Sequence, residues 1–374
     1  MENNKMKAIT AAVIHSPLKP FVLETLHIDE PRADEVLVRV VATGICHTDL
    51  VFRAAGVPTA PVVLGHEGAG VVERVGSAVT KVKPGDHVVL TYASCGECPN
   101  CRRARESYCT KFVELNLSGT RADRSTALST QHGEPVQGSF FGQSSFANYA
   151  MAKQRNVVKV PEDVPLELLG PLGCGIQTGA GTVMNVLKPA AGSSIAIFGA
   201  GTVGLAAVMA ARIVGCTRII AIDIKSERLD LARELGATDC IDGRQTDAVA
   251  AIRALTGDGV QFSLECTGSP MILRQAVEAL RPTGECGYVG TPAPGVQVEL
   301  DMRTLLMGRT LRGVIEGDSI PDLFIPELIQ LWRQGRFPFE RLYSFFDLAQ
   351  INQAIEAAES GEVLKPILRM PHPA

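Results

Sequence analysis

IAIFGAGTVGLAAV, residues 195–208, is the stretch from which the fold is read. Ile195 to Phe198 make a short apolar strand pattern, and Gly199, Gly201 and Gly204 follow at G-x-G-x-x-G spacing. An alanine-rich apolar run then opens a helix at Thr202. The first glycine permits a tight turn, the second lets backbone approach a pyrophosphate, and the third allows helix and strand to pack closely. The helix N-terminus adds N–H donors for an anion. Nineteen residues after Gly204 the next strand pattern, RIIAI, leads into Asp223. A carboxylate there accepts hydrogen bonds from adenosine ribose hydroxyls and repels an extra phosphate, so NAD is expected over NADP. Lys225 and Arg228 follow, and two readings stay open for them: they soften that repulsion, or Arg228 lies along the adenosine. The plainer reading, a tight turn with Asp223 as a helix cap, carries less weight because strand, loop, helix and acid come in sequence.

Outward from this loop, SIAIF, RIIAI, SERLDLARELG, VQFSLEC and ECGYVG alternate apolar strands with amphipathic helices. Such alternation builds a doubly wound parallel sheet. Pro189 to Ala211 runs 23 residues without a charge, nominally enough to span a bilayer. Its Gly192, Ser193, Ser194 and the three loop glycines make it turn, strand, loop and helix instead. Before residue 90 the texture is different: KAITAAVI, EVLVRVVATG, GAGVVERVG and DHVVL, broken by Pro31, Gly56, Pro61 and Pro84-Gly85, read as a β-domain. Residues 116–145, rich in Gly, Ser, Thr and Gln, are expected to form a long covering loop. PDLFIPELIQLWRQG, residues 321–335, reads as one amphipathic helix, and VLKPILRM returns to the β-rich style of the first domain.

The 374 residues suit two or three domains. With 46% hydrophobic and 20% charged residues the chain has ample core and is not a disordered segment. The formal net charge of −4 gives no field toward nucleic acid or anionic lipid. No secretory signal is read in MENNKMKAIT, so the ten cysteines point to a reducing, cytoplasmic setting and to metal before disulfides.

Four of those cysteines, Cys95, Cys98, Cys101 and Cys109, read C-x2-C-x2-C-x7-C. Four thiolates in one short loop close a tetrahedron around zinc and leave no position for water, which makes a structural site. An iron–sulfur cluster is the rival. The neighbouring Arg102, Arg103 and Arg105 are read as solvated surface, since the histidine pair of a DNA-reading finger is missing. Cys46 in GICHTD, His66 in GHEGAG and Cys174 in LGCGIQTG are far apart, and taken singly each reads as a buried thiol or core histidine.

GHEGAGVVERVG, the four-cysteine loop, LGCGIQTG and GAGTVG together resemble the medium-chain, zinc-dependent alcohol dehydrogenases nearly end to end. FFGQSSFANYA, GPLGCGIQTGAG, GVIEG and FIPELIQLWRQGRFPFERL are most similar to the aryl-alcohol (benzyl-alcohol) branch, with geraniol and perillyl-alcohol dehydrogenases close by. The resemblance implies a GroES-like β-rich catalytic domain, residues 1–180 and 325–374, around a Rossmann coenzyme domain, residues 181–324, with the active site in the cleft between them. It implies Cys46, His66 and Cys174 as catalytic zinc ligands, Asp49 behind the His66 imidazole, and Glu67 as a carboxylate able to approach the metal. Thr48 matches the proton-accepting hydroxyl, although it also reads as the N-cap of a helix beginning DLVFRAA. His47 and Lys365 match basic positions at the coenzyme pyrophosphate; Thr178, Val203, Thr267, Val289 and Thr291 match the nicotinamide side.

Where many relatives carry a histidine three residues after the threonine, this chain has Val51, so the proton relay ends at ribose and water or involves His47. Phe140 and Phe141 are read equally as pocket lining or as core. His15, His27, His87, His132 and His372 match no motif. Two zinc ions per chain, NAD and a small alcohol or aldehyde are implied, with reversible hydride transfer between alcohol and nicotinamide. A glutathione-adduct dehydrogenase is disfavoured by Val57 and Leu115 where that branch carries charges. A redox-inactive NAD-binding protein would not need the ligand set with Thr48, and a zinc-free quinone reductase would not need the cysteine loop. TLRGVIEG resembles an edge strand that relatives pair across a twofold axis, implying a homodimer or homotetramer.

Overall fold

The computed structural model describes residues 6–292 and 295–371, so His372 lies outside the described residues. The chain divides into two compact units. The first comprises Met1–Cys174, Ile320–Glu327 and Glu340–Ala374, and the second Gly175–Ser319 and Leu328–Phe339.

The first unit holds two sheets among the described residues. In one, Val62–Val63, Lys7–Ile14, Val22–Ile28, Leu128–Ser129 and Pro135–Val136 pair in that order. In the other, Val157–Lys159, His87–Leu90, Gly68–Val75, Glu35–Gly44, Lys365–Arg369 and Tyr343–Asp347 lie side by side in that order, and Tyr149–Lys153 pairs with Glu35–Gly44. The chain's last strand therefore lies antiparallel beside Glu35–Gly44, with Ile367 opposite Gly44, as the return of β-rich sequence near the C-terminus leads one to expect. Val36, Leu37, Val38 and Val40, buried on both faces of their strand, join Ile9, Leu26, Leu64, Leu90 and Phe146 in a continuous core. That core makes the ends of these strands rigid mounts for the loops and helices that leave them.

The second unit is a six-stranded sheet in the order Asp239–Asp242, Arg218–Asp223, Ser194–Phe198, Val260–Glu265, Leu280–Tyr288, Thr310–Gly313. All five pairings are parallel. The order reverses between Ser194–Phe198 and Val260–Glu265, the switch point at which doubly wound sheets receive ligands. Pro189–Ala211 is turn, strand Ser194–Phe198, glycine loop and helix Thr202–Ile213. No helix of the described residues is long and apolar enough to cross a membrane.

Residues 116–145 are largely loop, as expected, with part of that loop built into the core. They supply the strands Leu128–Ser129 and Pro135–Val136, and Phe140, Gln143, Ser144 and Ser145 are buried, because their hydroxyl and amide groups satisfy backbone that the core would otherwise orphan. Two boundary expectations are corrected. The first boundary falls after Cys174, not residue 180, since the helix Gly175–Gly181 packs on Thr202–Ile213 so closely that a Cβ on Gly179 would meet Val203 O at 2.0 Å. The helix Pro321–Arg333 is shared, its first part with one unit and its last with the other.

Candidate active site

The strand Glu35–Gly44 delivers Cys46 to the start of the helix His47–Ala55. Cys46 is the N-cap, so Thr48 is the second residue of the helix and not its cap. Asp49, at the third position, uses one oxygen to accept from Cys46 N (2.9 Å). Its other oxygen accepts from Gly65 N (3.2 Å) and meets His66 Nδ1 at 2.8 Å. Both side chains of this Asp49–His66 pair are fully buried. The carboxylate therefore holds the proton on Nδ1 and leaves the Nε2 lone pair facing the other way. Gly65 has φ +92°, and a Cβ there would strike Phe146 N at 2.6 Å, so the residue before the histidine must be glycine for the ring to reach this position.

His66 Nε2 lies 3.2 Å from Cys174 Sγ. Donor atoms of Cys46, His66, Glu67 and Cys174 all fall within 4.8 Å of one another. Tetrahedral zinc with its usual bond lengths separates sulfur and nitrogen ligands by about 3.6 Å, so these residues fit such an ion. Contact with Cys174, then Lys365 and His66, holds the Cys46 thiol well below its usual range against the effect of burial. Burial would depress the His66 imidazole, but Asp49 and Cys46 raise it well above its ordinary value. Negative charge gathered on buried sulfurs is the condition a cation relieves.

Lys365, expected at the coenzyme pyrophosphate, is committed elsewhere. Its buried ammonium donates to both Glu67 oxygens (2.9 and 2.8 Å) and to Ile45 O (3.0 Å). Those three acceptors use the three donors of an ammonium. Burial raises the Glu67 carboxyl against the pull of Lys365, and Glu67 in turn keeps Lys365 charged although burial opposes it. His47 is exposed. Phe141 stacks on the His66 ring at 4.5 Å and Phe140 meets it edge-on at 5.6 Å. Both phenylalanines are buried, so they wall the imidazole rather than standing in open space.

The four-cysteine loop gathers Cys95, Cys98, Cys101 and Cys109 with all four sulfurs within 4.8 Å. Cys95 and Cys101 are 3.9 Å apart, close to the about 3.8 Å between ligands of a zinc tetrathiolate. That spacing suits one ion, not a cluster of several metals. Backbone N–H groups of Cys98, Cys101, Lys111 and Cys95 point at the sulfurs. The Cys101 and Thr110 backbone donors bring Cys98 down to about 5, while burial lifts Cys101 to about 12.

In the second unit, a Cβ on Gly204 would meet Gly199 O at 1.8 Å, whereas one on Gly201 would meet nothing within 4 Å. The middle glycine thus faces room that a pyrophosphate fits. Asp223 accepts from Ala200 N (2.7 Å), Ile224 N and Lys225 N, tying the strand end to the glycine loop. Arg228 lies 4.0 Å from Asp223, and its buried Nε has no partner among the described residues. Thr267, Val289 and Thr291 follow the carboxyl ends of neighbouring strands, and Thr178 sits in the helix packed on Val203. His15 pairs with Glu24, His132 is exposed, and His27 and His87 lie on strands.

Residues 32–162 match the alcohol dehydrogenase GroES-like domain and residues 202–333 the zinc-binding dehydrogenase family. Geraniol dehydrogenase of Castellaniella defragrans is 46% identical over 360 residues, 96% of each chain. The chain belongs to the medium-chain zinc-dependent alcohol dehydrogenases. Among solved structures, benzyl alcohol dehydrogenase from Acinetobacter calcoaceticus superposes with TM-score 0.94 at 48% identity, covering 98% of this alcohol dehydrogenase and 100% of that chain. A zinc-binding alcohol dehydrogenase domain protein from Burkholderia ambifaria reaches 0.97 at 55%, with the same coverage. The dehydrogenase is thus a zinc-dependent oxidoreductase of alcohols that uses a nicotinamide coenzyme. Reading the sequence missed Gln143, Ser144 and Ser145, which brace the loop carrying His66; the one available signal was a polar triplet framed by phenylalanines.

Proposed function

We propose that this alcohol dehydrogenase interconverts primary alcohols beside an aromatic or allylic carbon with their aldehydes, using NAD. The observation that carries the reading is the convergence of Cys46, His66 and Cys174 around one point, with His66 oriented by Asp49. Bound there, zinc supplies Lewis acidity of the order that takes the pKa of water from nearly 16 to about 7, equivalent to about 12 kcal/mol. Asp49 keeps the imidazole in one tautomer and Lys365 neutralises Glu67 beneath the ligands. Thr48, on the first turn of the ligand helix, carries the hydroxyl that would accept the alcohol proton. Val51 offers no acceptor beyond it, so the proton leaves through water or His47.

Gly199, Gly201 and Gly204 would hold the pyrophosphate, Asp223 and Arg228 the adenosine ribose side, and Thr178, Val203, Thr267, Val289 and Thr291 the nicotinamide side. The Asp223 carboxylate at the strand end favours NAD over NADP. Cys95, Cys98, Cys101 and Cys109 hold a second, structural zinc. Ten cysteines outside any disulfide fit a cytoplasmic protein. The exposed edge strand Thr310–Gly313, with exposed Met302, Leu306 and Met307 nearby in sequence, fits pairing with a second copy into a dimer or tetramer.

The substrate class rests on the benzyl alcohol and geraniol relatives. The geraniol relative favours monoterpenoid allylic alcohols as the second reading. Initial rates with benzyl alcohol, geraniol and ethanol, each with NAD and with NADP, test all of this. Benzyl alcohol or geraniol with NAD is expected to exceed ethanol at least a hundredfold in kcat/KM. A preference for ethanol or for NADP overturns the corresponding part.

A further inference from the structure

The loop that carries His66 has a second support besides Asp49. Residues 140–146, FFGQSSF, run beneath residues 63–68 and bond to them repeatedly. Gln143 Nε2 donates to His66 O (2.9 Å) and more weakly to Thr91 O (3.4 Å), and its Oε1 accepts from Gly68 N (3.1 Å). Ser144 Oγ donates to Val63 O (2.7 Å), Ser145 N to Gly65 O (2.9 Å), and Phe146 N to Leu64 O (3.0 Å). Gln143 is 1% exposed, with both N–H donors of its amide and its oxygen engaged. The partners dictate its orientation, since Gly68 N can only donate and His66 O only accept.

The backbone here is held unusually. Phe141 and Ser144 have φ +49° and +48°, in the left-handed region that side chains disfavour, on either side of Gly142 at +65°. Such conformations persist where surrounding bonds over-determine them, and they cluster where a side chain must be aimed. Here the aimed groups are the Phe141 ring, stacked on the imidazole, and the Gln143 amide, clamped on the histidine's own peptide.

We infer that Gln143 is a positioning residue for the catalytic metal ligand His66, fixing the peptide from which the imidazole projects as Asp49 fixes the ring. The inference rests on the metal reading of Cys46, His66 and Cys174. No shorter or purely apolar side chain replaces it: Met in place of Gln leaves Gly68 N, His66 O and Thr91 O without this partner. Glu keeps the shape and the Gly68 acceptor but turns an oxygen toward two carbonyls.

The test uses zinc-loaded wild type, Gln143→Met and Gln143→Glu. It measures zinc release to a chromogenic chelator, together with the visible spectrum after cobalt exchange. The release phase absent from Cys46→Ser identifies the catalytic ion. That phase is expected to accelerate at least tenfold in both variants, with the cobalt band shifted, as for other groups that orient metal ligands. The phase from the four-cysteine loop stays at the wild-type rate. If the Met variant does not fold, the Glu variant alone decides. Wild-type release and spectrum in a folded variant overturn the inference. A wild type that never binds the ion missing from Cys46→Ser overturns the metal reading, and this inference with it.

Discussion

Among the described residues, two clusters in the same unit can hold a metal, and they are built in opposite ways. Cys95, Cys98, Cys101 and Cys109 lie within fifteen residues, all sulfur, steadied by their own backbone N–H groups. Cys46, His66 and Cys174 come from three distant segments, and buried side chains steady them across those segments: Asp49 from beside Cys46, Glu67 with Lys365, and Gln143. The first arrangement closes around an ion and has nothing left to give a substrate. The second uses two sulfurs and a nitrogen, leaving a tetrahedral position to an oxygen, and it holds its geometry only because the core does. A site made to last can be local; a site made to react is distributed over the fold.

The contrast is broken most severely at a distributed ligand. Cys46→Ser or His66→Ala is expected to lower kcat/KM for alcohol at least a thousandfold, about 4 kcal/mol of transition-state stabilisation, with NADH still bound, measurable by its fluorescence. Retained turnover in either variant would refute the metal role given to these residues. Lys365→Met comes next. It leaves Glu67 buried beside the ligands without its cation, a change that costs about 3–5 kcal/mol, to be read as a fall in thermal midpoint of about 10 °C. Adding Glu67→Gln should recover most of that loss; no recovery would mean the pair is not what the lysine serves.

Asp49→Asn sharpens the comparison further, because it leaves all three ligands in place. Loss of metal affinity by about ten- to a hundredfold is expected, seen as inactivation at lower chelator concentration. A variant as resistant as wild type would leave His66 orientation to Gln143 alone. The smallest effect on turnover belongs to the local cluster. Cys98→Ser should change kcat less than about tenfold while making residues 95–113 protease-sensitive, since a short loop loses its metal and little else. Inactivation as deep as that of Cys46→Ser would erase the distinction between the two sites.

Legibility in the sequence divides along the same line. The four-cysteine loop and the glycine loop could be read from spacing, because each is a local device whose partners are sequence neighbours. The parallel sheet followed from strand and helix alternation. Cys46, His66 and Cys174 were joined only by resemblance, since nothing in one dimension says that residues 46 and 174 meet. The supports were hidden for the same reason. Lys365 reads, by resemblance, as a pyrophosphate contact until its bonds to Glu67 are seen, and residues 116–145 read as polar loop because polar side chains that satisfy buried backbone look, in sequence, like those that face water. The boundary after Cys174 is invisible for a related reason: Gly175–Gly181 is set by close approach to another helix, not by its own composition.

The central claim is that the distributed cluster carries the zinc on which alcohol oxidation depends. Zinc per chain, measured by atomic emission on wild type and Cys46→Ser alongside benzyl alcohol turnover with NAD, tests it most directly. Two ions falling to one, with turnover lost in step, is the expected result. An unchanged zinc content with turnover intact would contradict it.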